Sequence, residues 1–195
     1  MTMPIAAVLL AALLGSIPFG LILTRAAGLG DIRGIGSGNI GATNVLRTGN
    51  KGLAAATLVL DMLKGTAAVW LAGWIAGPSW EPAAAVAAVF GHCYTPWRSF
   101  KGGKGMATAL GAMLGLAWPI FVVAGLTWLA AAKLSKISSV GALSAIAAGP
   151  VAAWFFSTPR AALGLLILGI CVVWRHRGNI ERLIAGTEPR IGEGK

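Results

Sequence analysis

Residues 106–132, MATALGAMLGLAWPIFVVAGLTWLAAA, decide the fold. Read as one helix, the stretch crosses a membrane once. Read as two, with the chain turning at Trp118-Pro119, it crosses twice and reverses every later segment. Proline disfavours helical backbone in the residue before it, which argues for the turn. The charges argue for it more strongly. Further apolar stretches run Pro4–Thr24, Leu53–Ile75, Pro82–Phe90 with a few residues beyond, Val140–Phe156 and Ala161–Trp174. About 20 apolar residues cross a hydrocarbon core of ~30 Å. One helix at 106–132 gives six spans and throws Lys133, Lys136, Arg175 and Arg177 to the outer side. Two give seven spans. Arg25, Arg33, Arg47, Lys51, Arg98, Lys101, Lys104, Lys133, Lys136, Arg175, Arg177, Arg182, Arg190 and Lys195 then share one side, with only Arg160 opposite and Lys64 within a span. Basic residues collect on the cytoplasmic side. The sequence therefore predicts an all-α membrane protein: one domain (1–195), a seven-transmembrane-helix bundle, N-terminus outside, C-terminus cytoplasmic. Short spans around Pro119 are expected to tilt, bury themselves in the bundle or thin the bilayer.

Composition agrees. Charged residues make up 11% of the 195 and hydrophobic ones 56%, whereas a soluble domain carries about 25% charged residues. The net charge of +10 suits anionic headgroups and anionic substrates. Nucleic acid is excluded, because no basic run is interleaved with aromatics on a soluble surface. The first apolar stretch is too long for a signal peptide and no Lys or Arg precedes it. Cys93 and Cys171 give no disulfide framework and no metal-ligand spacing, so neither metal nor cofactor is predicted.

With seven spans the polar clusters fall on one face. The first loop holds Gly34-Ile35-Gly36-Ser37-Gly38-Asn39-Ile40-Gly41-Ala42-Thr43-Asn44-Val45-Leu46-Arg47. Its Gly36-x-Gly38-x-x-Gly41 matches a dinucleotide fingerprint, with Asp61 20 residues further on. No strand precedes the glycines, however, and Asp61 lies inside an apolar helix, so that reading fails. What survives is the physics: glycines let backbone amides approach a phosphate, and a short helix from Asn39 onward can aim its N-terminus there. Ser37, Asn39 and Arg47 add donors, Arg47 in a bidentate way. The bland alternative is a flexible interfacial loop with a helix cap.

In the second loop, Lys101-Gly102-Gly103-Lys104-Gly105 places two ammonium groups around exposed backbone amides. It lacks Walker A spacing. A membrane anchor would need only the charges, so the glycines favour anion binding. Lys136-Ile137-Ser138-Ser139 and Arg175-His176-Arg177-Gly178-Asn179 complete the face, with His176 and Asn179 together if the last helix continues. His92 beside Cys93 suggests a thiol nucleophile, but neighbouring side chains rarely align for proton transfer and no orienting group is evident. Asp61 and Lys64, three residues apart and ~15 Å deep by helix rise, form either a self-neutralising interior pair or a wall of the polar pocket.

These clusters, in this order, resemble the bacterial acyl-phosphate:glycerol-3-phosphate acyltransferase family. The matching residues are Gly15-Ser16-Ile17-Pro18-Phe19-Gly20, Gly36–Arg47, Asp61-x-x-Lys64-Gly65, Gly91-His92, Phe100–Gly105, Ser138-Ser139, Arg175-His176-x-x-Asn179-Ile180, Arg182-Leu183 and Gly186-Thr187-Glu188. The chain departs from the family at 93–99, where a more apolar stretch around Phe-Pro is usual. The resemblance implies a bacterial inner-membrane, multi-pass protein with a cytoplasmic site. Its substrates would be acyl phosphate and glycerol 3-phosphate, its surroundings membrane lipids, with no metal and no acyl-CoA. Ser37, Arg47, Lys104, His176 and Asn179 would be the catalytic positions. Gly36, Gly38, Asn39, Asn44, His92, Lys101, Gly102, Gly103, Ser138 and Ser139 would help bind substrate.

A site so poor in carboxylates suits this chemistry. Acyl phosphate is already activated, so no covalent intermediate is required. The protein must hold two anions together, orient a hydroxyl and stabilise an oxyanion. Either His176 or the donor's own phosphate takes the hydroxyl proton; similarity to the family favours the phosphate. A carrier of a phosphorylated solute needs polar groups leading to both membrane faces, and the outer side offers only Glu81, Arg160 and a few small polar residues.

Overall fold

The computed structural model describes residues 2–36, 38–98 and 102–191; Ser37, Phe100, Lys101 and Lys195 lie outside the described residues. Regular structure among the described residues is entirely helical: α1 Thr2–Gly15, α2 Phe19–Ala26, α3 Ala42–Val45, α4 Lys51–Ala76, α5 Glu81–Cys93, α6 Met106–Leu116, α7 Trp118–Ser135, α8 Ser138–Phe156, α9 Pro159–Arg175 and α10 Arg177–Ile184.

The stretch 106–132 breaks where proline requires it. Ala117 is extended (φ −169°, ψ 130°) between α6 and α7, and Pro119 sits in the first turn of α7. There its missing amide has no helical partner to lose. Lys136, left-handed at φ 58°, closes α7.

The first apolar stretch departs from the single helix its hydropathy suggests. It breaks between Gly15 and Phe19, where Pro18 lacks an amide and Ser16 Oγ turns back to donate to Leu13 O at 2.7 Å. A break in an apolar span frees carbonyls that need donors. Other elements supply them: Thr95 Oγ1 donates to Ser16 O at 2.9 Å, Lys64 Nζ to Ile17 O at 2.7 Å, and Trp97 Nε1 to Ser16 Oγ at 2.7 Å. The stretch that departs from the family thus fastens onto the break.

Small residues set the packing. A Cβ on Gly15 would lie 2.0 Å from Ala88 O, and one on Gly91 2.1 Å from Ala12 O, so α1 and α5 touch backbone to backbone. Gly65 against Thr108 and Gly111 against Met62 do the same for α4 and α6. Between lipid-bathed helices, such close approach replaces the hydrophobic drive that packs soluble proteins. Met113, Ile120, Leu165 and Leu168 fill the main core, while Trp70, Trp74, Phe155 and Ile170 face outward. Residues 2–26 (α1 with α2), α4, α7 and α8 are each long and apolar enough to cross a membrane, and α9 joins them if its 61° bend into α10 is counted within one span. At 13 and 11 residues, α5 and α6 are shorter.

Candidate active site

The site is built where helices end. At the foot of α9, Arg175 donates from Nε to Gly103 O (3.0 Å) and from Nη2 to Gly102 O (2.9 Å), its guanidinium lying over Tyr94. The amides of the same glycines face α5: Gly102 N–H donates to Cys93 O at 3.1 Å and Gly103 N–H to His92 O at 3.0 Å. The exposed amides suggested by the sequence are therefore spent on protein carbonyls. Close contact is what demands glycine here. A Cβ on Gly102 would lie 2.0 Å from His92 O, and one on Gly103 2.1 Å from His92 Nε2. Held between α5 and α9, the loop delivers Lys104.

From Lys104 a hydrogen-bonded chain crosses to two other segments. Lys104 Nζ donates to Asn179 Oδ1 at 2.6 Å, and Asn179 Nδ2 donates to Glu188 Oε1. That oxygen also accepts from Ser139 Oγ at 2.6 Å, and Glu188 Oε2 from Arg182 Nε at 2.7 Å. Burial pushes the Glu188 carboxyl upward, but donors from Ser139, Asn179 and Arg182 outweigh it and hold the group below its ordinary value. It is a resident anion. Lys104 is brought down from 10.5 to about 8, by burial first and, against the pull of Glu188, by the charges of Arg182, Arg47 and Arg175. Lys104 and the three arginines acting on it, against one carboxylate, leave a strong positive excess, which suits incoming phosphate groups.

His176 sits at the bend between α9 and α10, so it and Asn179 occupy the start of a new helix rather than one continuous face. Its Nδ1 lies 2.8 Å from Val172 O. A carbonyl only accepts, so Nδ1 carries the proton and Nε2 keeps its lone pair. Burial is the largest cause lowering its pKa to about 4. The ring is a neutral hydrogen-bond acceptor.

The first loop is organised differently. Gly36 and Gly38 take left-handed φ values of 55° and 65°. Asn44 Nδ2 donates to Ile32 O at 2.7 Å and Asn39 O at 2.8 Å, while Asn39 Oδ1 accepts the Ile40 amide. Asn44 and Asn39 are thus holding the loop. The helix expected from Asn39 begins at Ala42 and lasts one turn before a 3-10 turn at Leu46–Thr48. Arg47 lies along Gly36, its Nη1 2.5 Å from where a Cβ would be.

Of the other sequence candidates, Ser139 joins the chain described above, whereas Ser138 is the first residue of α8. His92 lies apart, beneath Gly103 and bonded to Lys64. Cys93 is fully buried in the main core with Cys171 against it. Arg175, Arg182 and Glu188 hold the centre together, and their residue types alone gave them no role.

A family model for glycerol-3-phosphate acyltransferase matches residues 5–186. A glycerol-3-phosphate acyltransferase of Mesorhizobium japonicum is 58% identical over 180 residues, covering 92% of each chain. One of Erythrobacter litoralis is 52% identical over 197 residues, covering 97% of this chain and 95% of its own. Among solved structures, the glycerol 3-phosphate form of PlsY, an integral membrane glycerol 3-phosphate acyltransferase, superposes with a TM-score of 0.90 at 33% identity, over 97% of this chain and 96% of that one. Its lysophosphatidic acid form superposes with a TM-score of 0.89 at 32% identity, over 96% and 94%.

Proposed function

Since the chain belongs to the glycerol-3-phosphate acyltransferase family, we propose that it transfers a fatty acyl group from acyl phosphate to glycerol 3-phosphate, releasing lysophosphatidic acid and phosphate. The observation that carries the reading is the cation cluster: Arg47, Arg175 and Arg182 come from separate segments and act on Lys104, with Glu188 the carboxylate among them. Lys104 and Arg47, with Ser37, hold the phosphate groups, and Ser138 and Ser139 border them. The glycerol hydroxyl attacks the acyl carbonyl carbon, the bond to phosphate breaks, and the departing phosphate takes the hydroxyl proton. His176 Nε2 accepts a hydrogen bond from the neighbouring hydroxyl of the glycerol and so orients the molecule, leaving the attacking hydroxyl's proton to the phosphate. No protein group is acylated, and no metal takes part.

The site faces the cytoplasm of a bacterial inner membrane crossed by seven spans. Contacts support the alternation this needs. Gly65 meets Thr108 while Gly115 meets Val69, so α4 and α6 run parallel. Gly149 meets Leu165 while Gly169 meets Ile146, so α8 and α9 run antiparallel. Single cysteines introduced at positions 136, 138 and 175 should react only after the inner face is opened; labelling of 136 or 175 from outside intact cells overturns the topology. For the reaction, purified protein is given labelled glycerol 3-phosphate with either acyl phosphate or acyl-CoA. Lysophosphatidic acid is expected from acyl phosphate alone, and formation from acyl-CoA alone overturns the donor.

A further inference from the structure

Three parts of the membrane interior meet at one ammonium group. Lys64 Nζ lies 2.6 Å from Asp61 Oδ1, donates to Ile17 O at 2.7 Å, and lies 2.9 Å from His92 Nδ1. Lys64 and Asp61 are both buried, at 4% and 2% exposure. Were the pair there only to neutralise itself, the contact between its two charges would suffice. Here the ammonium, besides its ion pair with the carboxylate, donates to the carbonyl freed by the break between α1 and α2 and meets an imidazole nitrogen. An ammonium cannot accept, so His92 Nδ1 must be the acceptor and the ring proton sits on Nε2. That edge rests against Gly103, which has no room for a side chain. The next residue is Lys104.

We propose that Asp61, Lys64 and His92 form a buried positioning chain that fixes the ring of His92 under Gly103 and so seats Lys104 over the anion site. The chain joins α4, the α1–α2 break and the end of α5 to the loop, so loosening Lys64 frees the ring, and freeing the ring frees the loop. Arg175 holds the same glycines from the opposite side through their carbonyls. The loop is thus clamped between a buried ammonium's chain and a guanidinium. Asp61, Lys64 and His92 touch no substrate in this account; they act through Lys104. The proposal rests on the reading that Lys104 holds a substrate phosphate.

Lys64→Met alone strands a buried carboxylate and can prevent folding, so the informative variant is Asp61→Asn with Lys64→Met, which removes both charges at similar volume. Two measurements apply. The first is hydrogen–deuterium exchange of residues 102–105 in detergent without substrate, where the double variant should exchange about tenfold faster than the parent while the helices keep their protection. The second is steady-state kinetics, where KM for glycerol 3-phosphate should rise about tenfold with kcat within about threefold, the signature of a misplaced binding group. A separate cycle tests the contact itself. Gly103→Ala should raise KM, and His92→Ala in the same chain should recover part of that loss, because the ring occupies the space the methyl needs. Parental exchange at 102–105 in the double variant overturns the proposal, as does simple additivity of Gly103→Ala and His92→Ala. If the parent does not use glycerol 3-phosphate at all, the substrate reading falls, and exchange at 102–105 alone decides the positioning chain.

Discussion

The segments Gly36–Arg47 and Gly102–Gly105 carry the same residue types, glycines beside basic side chains, yet Gly38 in one and Gly102 and Gly103 in the other are glycine for opposite reasons. In the first, Gly36 and Gly38 are left-handed; Gly36 is also packed against Arg47 and Asn44, whereas among the described residues a Cβ on Gly38 would meet only Arg33 O, at 3.4 Å. Conformation is what Gly38 supplies. In the second, Gly102 and Gly103 are not left-handed, but a Cβ on either would fall about 2 Å from His92 atoms. Space is what they supply. The first loop is tied by its own asparagines, the second by helices on either side. A glycine-rich basic stretch can therefore mark a ligand loop folded on itself or a strut wedged between helices, and only the neighbours tell which.

The largest effects should fall on the cations and the hydroxyl the two segments present. Arg47→Ala, Lys104→Ala and Ser37→Ala each remove a donor to an anion in a partly dry pocket, costing about 2–4 kcal/mol of transition-state stabilisation. Turnover assays should show that loss while insertion and melting remain normal. Near-parental rates in all three would remove the anion site from both segments.

The glycines come next and separate the segments. Gly102→Ala forces backbone against the His92 carbonyl and should cost about 3 kcal/mol or more in stability. Gly38→Ala has space and pays only for its left-handed conformation, about 1–2 kcal/mol. Thermal melting in detergent ranks them, and a milder Gly102→Ala would erase the distinction.

Acidity gives a smaller, graded effect. Lys104 titrates at about 8, and only its charged form binds phosphate, so kcat/KM for glycerol 3-phosphate should fall as pH rises through 8. Folding has the opposite sign. With a folded pKa below the ordinary 10.5, the unfolded chain binds more protons between 8 and 10.5, so this group's contribution to stability rises over that range. Loss of rate there is not loss of fold. Lys104→Arg should abolish the alkaline limb, and a limb unchanged by that substitution would exclude Lys104 as its source. The smallest effect belongs to Cys93, near the second segment but outside the chemistry. Cys93→Ala, alone or with Cys171→Ala, should keep rates within about twofold and lose about 1 kcal/mol of packing; collapse of turnover with the fold intact would implicate the thiol.

Much of this was legible in the chain. Pro119 and the placement of basic residues marked the break between α6 and α7, because steric exclusion before proline and membrane charge asymmetry act locally. The break at Ser16–Pro18 was not legible, although Pro18 stood in view. Uniform hydropathy hides a kink whose freed carbonyls are served by Lys64 and Thr95, 47 and 79 residues away. Lys104 was found as a candidate because an ammonium among glycines suits phosphate, while His176, Asn179 and Ser139 stood in polar clusters on the same face and took their roles from the family resemblance. Glu188 was given no role, since a carboxylate in an anion site makes sense only once Ser139, Asn179 and Arg182 are seen converging on it. The glycines of the second loop were recognised, but their reason was misjudged, because contact with His92 is tertiary and leaves no local trace.

The claim on which the rest depends is direct transfer within the cation cluster, and rapid quenching tests it. Enzyme is mixed with acyl phosphate labelled in its acyl chain, with and without glycerol 3-phosphate, and phosphate and protein-bound label are followed through the first turnover. The expected result is no phosphate and no labelled protein without glycerol 3-phosphate, and equal amounts of phosphate and lysophosphatidic acid with it. A burst of phosphate matching the enzyme concentration in the absence of glycerol 3-phosphate, with label on Cys93 or any other residue, would contradict it.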